Sequence, residues 1–387
     1  MKKIVLIFIC LFFICGCMSE NKEDEVVDEI KDEEVKLNIP DSYNDNGIFI
    51  DYYEDAYEKM KSMTMEEKVG QMIFARMPQS GELEAIEKYN IGGFILFGID
   101  FENKTKEEII DSINLYQESS VIPLLMGVDE EGGSVVRISS NSNLYPNRFQ
   151  SLRYIYNQSG ISGINLDTSN KSILLKELGL NVNLAPVADY SNNPNDFIYD
   201  RTVGNNIDET SECIKNTVRI YNENNIGCTL KHFPGYGNNV DTHTGIAIDS
   251  RDYNSFLESD FKPFIAGIEE GAPSILVSHN IVTSMDEDNP ASLSKKVHDI
   301  LRDDLDFTGV IMTDDLAMNA ITLYTDNPYV SAVLAGNDLL ITSDYKKTYD
   351  DIIKATLDGV IDEEVINKAC FRVLAWKYKL GLLKRGE

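Results

Sequence analysis

The densest run of reactive side chains is Lys231-His232-Phe233-Pro234-Gly235-Tyr236-Gly237-Asn238-Asn239-Val240-Asp241-Thr242-His243. It holds two of the chain's four histidines, in a loop rich in Pro and Gly that leaves an apolar run. Such a loop is an unusual home for a core histidine. Asp241 and His243 are separated by one residue, so in extended backbone both side chains can project to the same side. A carboxylate beside an imidazole favours its protonated form and fixes its tautomer, which makes a proton donor active near neutral pH. Two other readings stay open: His243 as a plain exposed loop residue, and the pair as part of a metal site. His232 and His243 stand eleven positions apart, with no His-x-His and no Cys partner. That is a poor ligand set, and no metal is expected.

A second feature is Gly309-Val310-Ile311-Met312-Thr313-Asp314-Asp315-Leu316-Ala317-Met318, an apolar run that delivers two adjacent carboxylates. Successive residues point in different directions, so one carboxylate reaches a substrate while the other caps the following helix. A carboxylate held in this way can attack an anomeric carbon and form a covalent glycosyl intermediate. Taken alone, the segment also fits two helix caps and no chemistry.

These residues need a scaffold that brings distant segments together. From about Asp51 onward, helical patterns alternate with short apolar runs at Gly70–Ala75, Gly93–Phe97, Leu124–Val128, Val182–Pro186, Cys228–His232, Ser274–His279, Gly309–Thr313 and Asp338–Thr342. Amphipathic stretches lie between them at Lys106–Gln117, Asp208–Asn224, Asp260–Glu270, Ser294–Leu305 and Tyr349–Leu357, and Val365–Leu382 reads as a closing helix. Continuous apolar strands separated by helices predict a parallel sheet buried on both faces. Eight of them favour a single-domain α/β fold of the (β/α)8 TIM-barrel type. No Gly-rich phosphate fingerprint follows the first run, which weakens an open dinucleotide-binding sheet. Polar residues cluster where the runs end: Arg76, Asp129, Asp189, Lys231-His232, His279 and Asp314-Asp315. In a barrel these positions open onto one face, where an active site lies.

The chain has 387 residues and a formal charge of −29, with 43% apolar residues. That charge argues against nucleic acid, whose phosphates would be repelled, and the apolar content excludes wholesale disorder. Residues 1–16 carry Lys2-Lys3, an apolar run and Cys15-Gly16, which fits a secretory signal; the run is too short for a membrane span. The sequence Ile14-Cys15-Gly16-Cys17 resembles a bacterial lipobox, which implies lipidation at Cys17. Glu20–Lys36 holds nine acidic and three basic residues, too polar to offset chain entropy, and reads as a disordered tether, with a single surface helix as the alternative. The expected organisation is a signal peptide at 1–16, an acidic tether at 17–48 and one catalytic domain at 49–387. Cys213, Cys228 and Cys370 remain as an odd, widely spaced trio that reads as free buried thiols.

The motif Lys231 to Gly237, followed by Asp241-Thr242-His243 and later Thr313-Asp314-Asp315-Leu316-Ala317-Met318, resembles the family 3 glycoside hydrolases. More narrowly it resembles their single-domain β-N-acetylglucosaminidase branch. Further matches run through Met65 to Gln71, Gly92 to Phe97, Gly127 to Gly133, Leu184 to Asp189, Asp200 to Gly204, Ala291 to Ser294 and Ala335 to Asp338. The resemblance implies that Asp314 is the nucleophile and His243 the general acid/base, with Asp241 as its partner. It implies that Asp129, Arg201, Lys231 and His232 bind the sugar hydroxyls, which suits donors and acceptors of these types. Two departures stand out: Tyr236, where the loop often carries a second His, and Ser134, where Arg often follows Glu-Gly-Gly. The second, sandwich domain of many β-glucosidases in this family is not expected.

The resulting expectation is retaining, exo-acting hydrolysis of terminal β-linked N-acetylglucosamine from cell-wall or chitin-type oligosaccharides. No cofactor, no nucleic acid and no obligate protein partner are expected, and the protein is expected outside the cytoplasm, anchored to the cell membrane by lipid on Cys17. Phosphorolysis, β-glucosidase or xylosidase activity, and a non-catalytic sugar-binding lipoprotein are the rival readings.

Overall fold

The computed structural model describes residues 37–204, 206–239 and 245–386. Cys17, Asp241, His243, the leader and the acidic stretch through Lys36 lie outside the described residues. The strands are β1 Ile73–Arg76, β2 Gly93–Leu96, β3 Leu125–Val128, β4 Val182–Asn183, β5 Gly227–Phe233, β6 Ile248–Asp249, β7 Ser274–Val277, β8 Ile281–Val282, β9 Val310–Thr313 and β10 Leu340–Thr342. Eight of them form one parallel sheet in the order β10-β1-β2-β3-β4-β5-β7-β9. A parallel bridge between Met312 and Leu339 joins β9 to the start of β10, and Thr313 N donates to Leu339 O at 3.2 Å. The sheet is a closed (β/α)8 barrel, and each of the eight apolar runs supplies one of its strands. The remaining two, β6 and β8, pair separately in the loops that follow β5 and β7.

Side chains alternate across the barrel wall, as a strand's two-residue period requires. Ile73 and Ala75, Phe94 and Leu96, and Ile275 and Val277 pack outward in one cluster with the surrounding helices. Phe74, Ile95, Leu125, Leu184, Leu276, Met312 and Ile341 fill the interior and join the cluster that contains Trp376 and Phe371 on the closing helix Glu363–Lys379. The same alternation carries Arg76, Phe97 and Asp314 to the open end of the barrel, where they line one cavity.

The compact body begins at Leu37, earlier than the expected boundary at 49. Tyr43 is buried, its ring lies 5.2 Å from that of Phe371, and its hydroxyl donates to Glu364 Oε2 at 2.8 Å. Phe49 and Tyr53 are buried in the same cluster. Three buried aromatics within eleven residues supply the apolar surface that packs this segment onto the barrel.

Several helix boundaries also differ from the pattern. Gly70, expected to open a strand, lies inside the helix Met65–Gln71. A capping box starts that helix: Thr64 accepts from Glu67 N while Glu67 accepts from Thr64 N. The stretch expected as the helix Ser294–Leu305 is a regular helix only over Lys295–Asp299, and a wider turn follows over Ile300–Asp304. The helix Leu152–Leu178, interrupted at Gly160 (φ 57°, ψ −152°), was not expected. Its many Ser, Asn and Gly residues hide the helical period.

Candidate active site

A cavity of about 290 Å³ opens at the carboxyl ends of the strands, lined by residues from the ends of β1, β2, β3, β5 and β9 and from the loops that follow β3 and β4. It contains the expected Asp129, Arg201, Lys231, His232 and Asp314, so the structure brings together all five of the described candidates.

Lys231 and His232 are consecutive, yet both face the cavity. The pairing of β5 with β7 shifts register between Leu230 and Phe233, which breaks the alternation that would otherwise separate the two side chains. The Lys231–His232 and Phe233–Pro234 peptides are cis. Lys231 Nζ donates to Asp129 Oδ1 at 2.7 Å and to Glu131 Oε1 at 2.6 Å. Arg201 grips Glu131 with two donors, Nε to Oε2 at 3.0 Å and Nη2 to Oε1 at 2.8 Å. Burial alone would raise the Glu131 carboxyl; Arg201 and Lys231 overcome it and hold the group well below the usual carboxylate range. For Lys231, burial opposes the charge while Asp129 and Glu131 win, leaving the ammonium above its ordinary value. The cluster is therefore a fixed, charged lattice. Lys231 keeps a third ammonium hydrogen for a ligand hydroxyl, and Asp129 keeps acceptor capacity.

His232 is oriented by a carboxylate behind it. Asp189, fully buried, accepts from the His232 backbone N at 2.9 Å, pairs with its Nδ1 at 2.7 Å, and accepts from Tyr236 N at 2.7 Å. Arg201 Nη2 lies 3.2 Å from Nε2. A guanidinium can only donate, so Nε2 accepts and the ring proton sits on Nδ1. Tyr236 closes this side, its ring 5.3 Å from that of His232.

Asp314 follows β9 and is held by its backbone N, which donates to Val277 O at 3.0 Å. One of its carboxylate oxygens accepts from Asp315 N at 2.8 Å. Asp315 does not cap the following helix, contrary to expectation: its Oδ1 accepts from Ala317 N at 3.0 Å across a turn, the helix Asn319–Thr322 begins without a side-chain cap, and Asp315 lines the cavity beside Asp314. Burial, together with the neighbouring Asp314, raises the Asp315 carboxyl above its ordinary value. His279, expected at a strand end, is fully buried outside the cavity lining. It pairs with Ser292 Oγ at 2.7 Å, and its Nε2 lies 3.0 Å from Asp315 O, bracing the turn that presents Asp314. Among the described residues, no group of three His, Cys, Asp or Glu side chains is placed to hold a metal ion.

Sequence reasoning missed several contributors. Glu131 lies within the Gly127 to Gly133 match with no role of its own legible there, yet it is the hub between Lys231 and Arg201. Arg137 lines the cavity beside Phe97, with its guanidinium 5.2 Å from that ring and Nη2 3.5 Å from Asp129 Oδ2. Arg76 stacks on the same ring at 4.1 Å. Glu130 folds the intervening loop by accepting from Arg137 N at 2.8 Å and Ile138 N at 2.7 Å. Arg153 donates to Tyr199 O, Ser191 O and Thr202 Oγ1, which shapes the loop that carries Arg201. The three consecutive carboxylates Asp129-Glu130-Glu131 with Arg137 soon after them were a visible signal, but which of them meet was not.

Residues 64–376 match the glycosyl hydrolase family 3 N-terminal domain. The chain is 30% identical over 271 residues to a β-hexosaminidase of Nitrosomonas eutropha, across 68% of this chain and 76% of that relative. It is 28% identical over 330 residues to β-hexosaminidase A of Pseudoalteromonas piscicida, across 77% of this chain and 55% of the relative. Among solved structures it resembles a family 3 β-N-acetylglucosaminidase from Paenibacillus sp. str. FPU-7, with a TM-score of 0.78 and 26% identity, over 84% of this chain and 65% of that one. It shares its fold with a β-N-acetylhexosaminidase from Beutenbergia cavernae, at 22% identity and a TM-score of 0.75, over 82% and 99% of the two chains.

Proposed function

This chain belongs to glycosyl hydrolase family 3, and from that premise we propose that it is a retaining, exo-acting β-N-acetylglucosaminidase. The observation that carries the reading is one cavity in which Asp314 shares space with the Lys231–Asp129–Glu131–Arg201 lattice. The lattice offers a fixed set of donors and acceptors for the hydroxyls of a terminal sugar. The β-hexosaminidase and β-N-acetylglucosaminidase names of the relatives support N-acetylglucosamine as that sugar.

In the proposed reaction, an Asp314 carboxylate oxygen attacks the anomeric carbon, and the bond to the leaving oxygen breaks. His243, paired with Asp241, gives that oxygen a proton, and the sugar is left as an ester of Asp314. The imidazole then takes a proton from water, whose oxygen attacks the same carbon and expels the Asp314 carboxylate. Two displacements at one carbon retain its configuration. Substrates are proposed to be cell-wall or chitin-type oligosaccharides. Anchoring outside the cytoplasm through lipid on Cys17 is proposed from the leader sequence, and Cys17→Ser is expected to shift the enzyme from the membrane fraction to the soluble fraction.

The test is kinetic. Asp314→Ala should lose nearly all turnover of an aryl β-N-acetylglucosaminide. His243→Ala should lose about 10²–10⁴-fold on a poor leaving group and much less on an activated one. NMR of the first-formed product should show the β-anomer. An active Asp314→Ala, or an inverted product, ends the reading, and a sugar 1-phosphate formed on adding phosphate would replace hydrolysis with phosphorolysis.

A further inference from the structure

Behind the cavity, four polar side chains that do not line it converge on the two ends of the segment that bears Asp241 and His243. The outgoing end is the turn at 235–239 and the returning end is β6 with the residues after it. Arg251 joins them. Its guanidinium donates Nε and Nη2 to Asp249 Oδ2 at 2.9 and 2.8 Å, and Nη1 to Asp260 Oδ2 at 2.9 Å and Oδ1 at 3.1 Å. Its backbone N donates to Asp249 Oδ1 at 2.9 Å. Asp249 Oδ2 also accepts from Asn239 Nδ2 at 2.9 Å, and the same Nδ2 donates to Tyr236 O at 2.9 Å. Asn239, Asp249 and Asp260 are buried, so these bonds are shielded from water.

The glycines of the Pro234-Gly235-Tyr236-Gly237 motif are shaped to this cluster. A Cβ on Gly237 would lie 2.5 Å from Arg251 Cζ, and one on Gly235 would lie 2.3 Å from Asp260 Oδ1. Both adopt positive φ, 57° and 125°, where a side chain is strained in any case. The turn thus rests directly on the guanidinium and its carboxylate. The planar guanidinium meets the two carboxylates with several donors in one fixed plane, a geometry that the point charge of a lysine would not impose.

We propose that Arg251 is a positioning residue for the acid/base: by tying the Asn239 end of the segment to Asp249 and Asp260, it sets where the imidazole of His243 stands relative to the leaving oxygen. The proposal rests on the role of His243 given above. Small misplacements of a reacting group cost as much as about 10²-fold, so the effect should be visible in the step that needs the proton and weak in the step that does not.

The experiment measures kcat/KM for phenyl and 2,4-dinitrophenyl β-N-acetylglucosaminides in the full chain and in Arg251→Met, Asp260→Asn and His243→Ala. The phenyl leaving group needs protonation and the dinitrophenyl group does not. Arg251→Met should lower the phenyl value about 10–10²-fold more than the dinitrophenyl value, with Asp260→Asn intermediate. A purely structural role would lower both substrates by one factor, because it only reduces the fraction of folded enzyme. Equal losses in both variants, beside a selective loss in His243→Ala, overturn the proposal alone. An unselective His243→Ala overturns the acid/base reading itself. Should Arg251→Met fail to fold, Asp260→Asn carries the test, since it keeps the Arg251–Asp249 pair and weakens only the second arm, leaving one neutral acceptor where the carboxylate offered two charged oxygens.

Discussion

Lys231 shows how little freedom the site leaves its members. Its ammonium is almost wholly buried and stands between two carboxylates at 2.6 and 2.7 Å. Removing one partner of a buried pair leaves the other charge without compensation, at a cost of about 3–5 kcal/mol. Lys231→Met should therefore lower stability by that order in urea unfolding, and also raise KM, because Asp129 and Glu131 would repel each other and lose their alignment. A variant with unchanged stability would mean that the lattice is not a coupled unit. The types of these residues were readable in the sequence. Their pairing was not: Glu131 and Arg201 are 70 positions apart, and Asp189 and His232 are 43 apart. No local pattern encodes a contact across that distance.

At the scale of elements, the loop after β3 matters as much as the strand. It carries Asp129, Glu131 and Arg137, and it is pinned by Lys171, which donates to Glu131 O and to Asp167 Oδ2, each at 2.6 Å. Gly132 lets it turn: φ is 106°, and a Cβ there would lie 2.0 Å from Gln150 O, a backbone atom that cannot swing away. Gly132→Ala is expected to destabilise the fold by about 1–3 kcal/mol, from left-handed backbone strain plus the clash, and to depress turnover by displacing Glu131. A thermal melt and a rate on one aryl substrate check both. The eight strands were legible because continuous apolar runs of five or six residues bounded by polar ends are distinctive. The helix Leu152–Leu178 was not, since its exposed apolar residues, Tyr154, Leu166 and Ile173, blur the face that the period should mark.

At the scale of the whole molecule, the end of the barrel opposite the cavity is closed by the segment from Tyr43 to Met60 and the helix Glu363–Lys379. That helix buries Lys377, whose Nζ donates to Gln71 Oε1 at 2.6 Å. Burial lowers its pKa from 10.5 to about 7, and the nearby Cys370 only partly opposes the shift. In the unfolded chain the ammonium keeps its ordinary value, so between about pH 7 and 10 the unfolded state binds more protons than the folded one. Lys377 therefore contributes a rise in stability with pH across that window, and stability falls as pH drops toward 7. Lys377→Met should flatten the rise in a pH series of urea midpoints; a slope identical to that of the native chain would show that the ammonium is not desolvated. The slope is the measure to use, because the variant also leaves the Gln71 oxygen without its donor.

The sequence by itself determined the barrel class, the strand order along the chain and the chemical types offered at the strand ends. These follow from short-range periodicity, which burial on both faces of a sheet imposes on every strand. Only the tertiary structure decided that Glu131 is the hub, that Asp189 sets the proton of His232, that Tyr43 and Phe49 belong to the body, and that Arg251 ties down the loop. Each of these rests on the closure of the ring, which places residues far apart in sequence within hydrogen-bond or packing distance, and chain connectivity records no such distance.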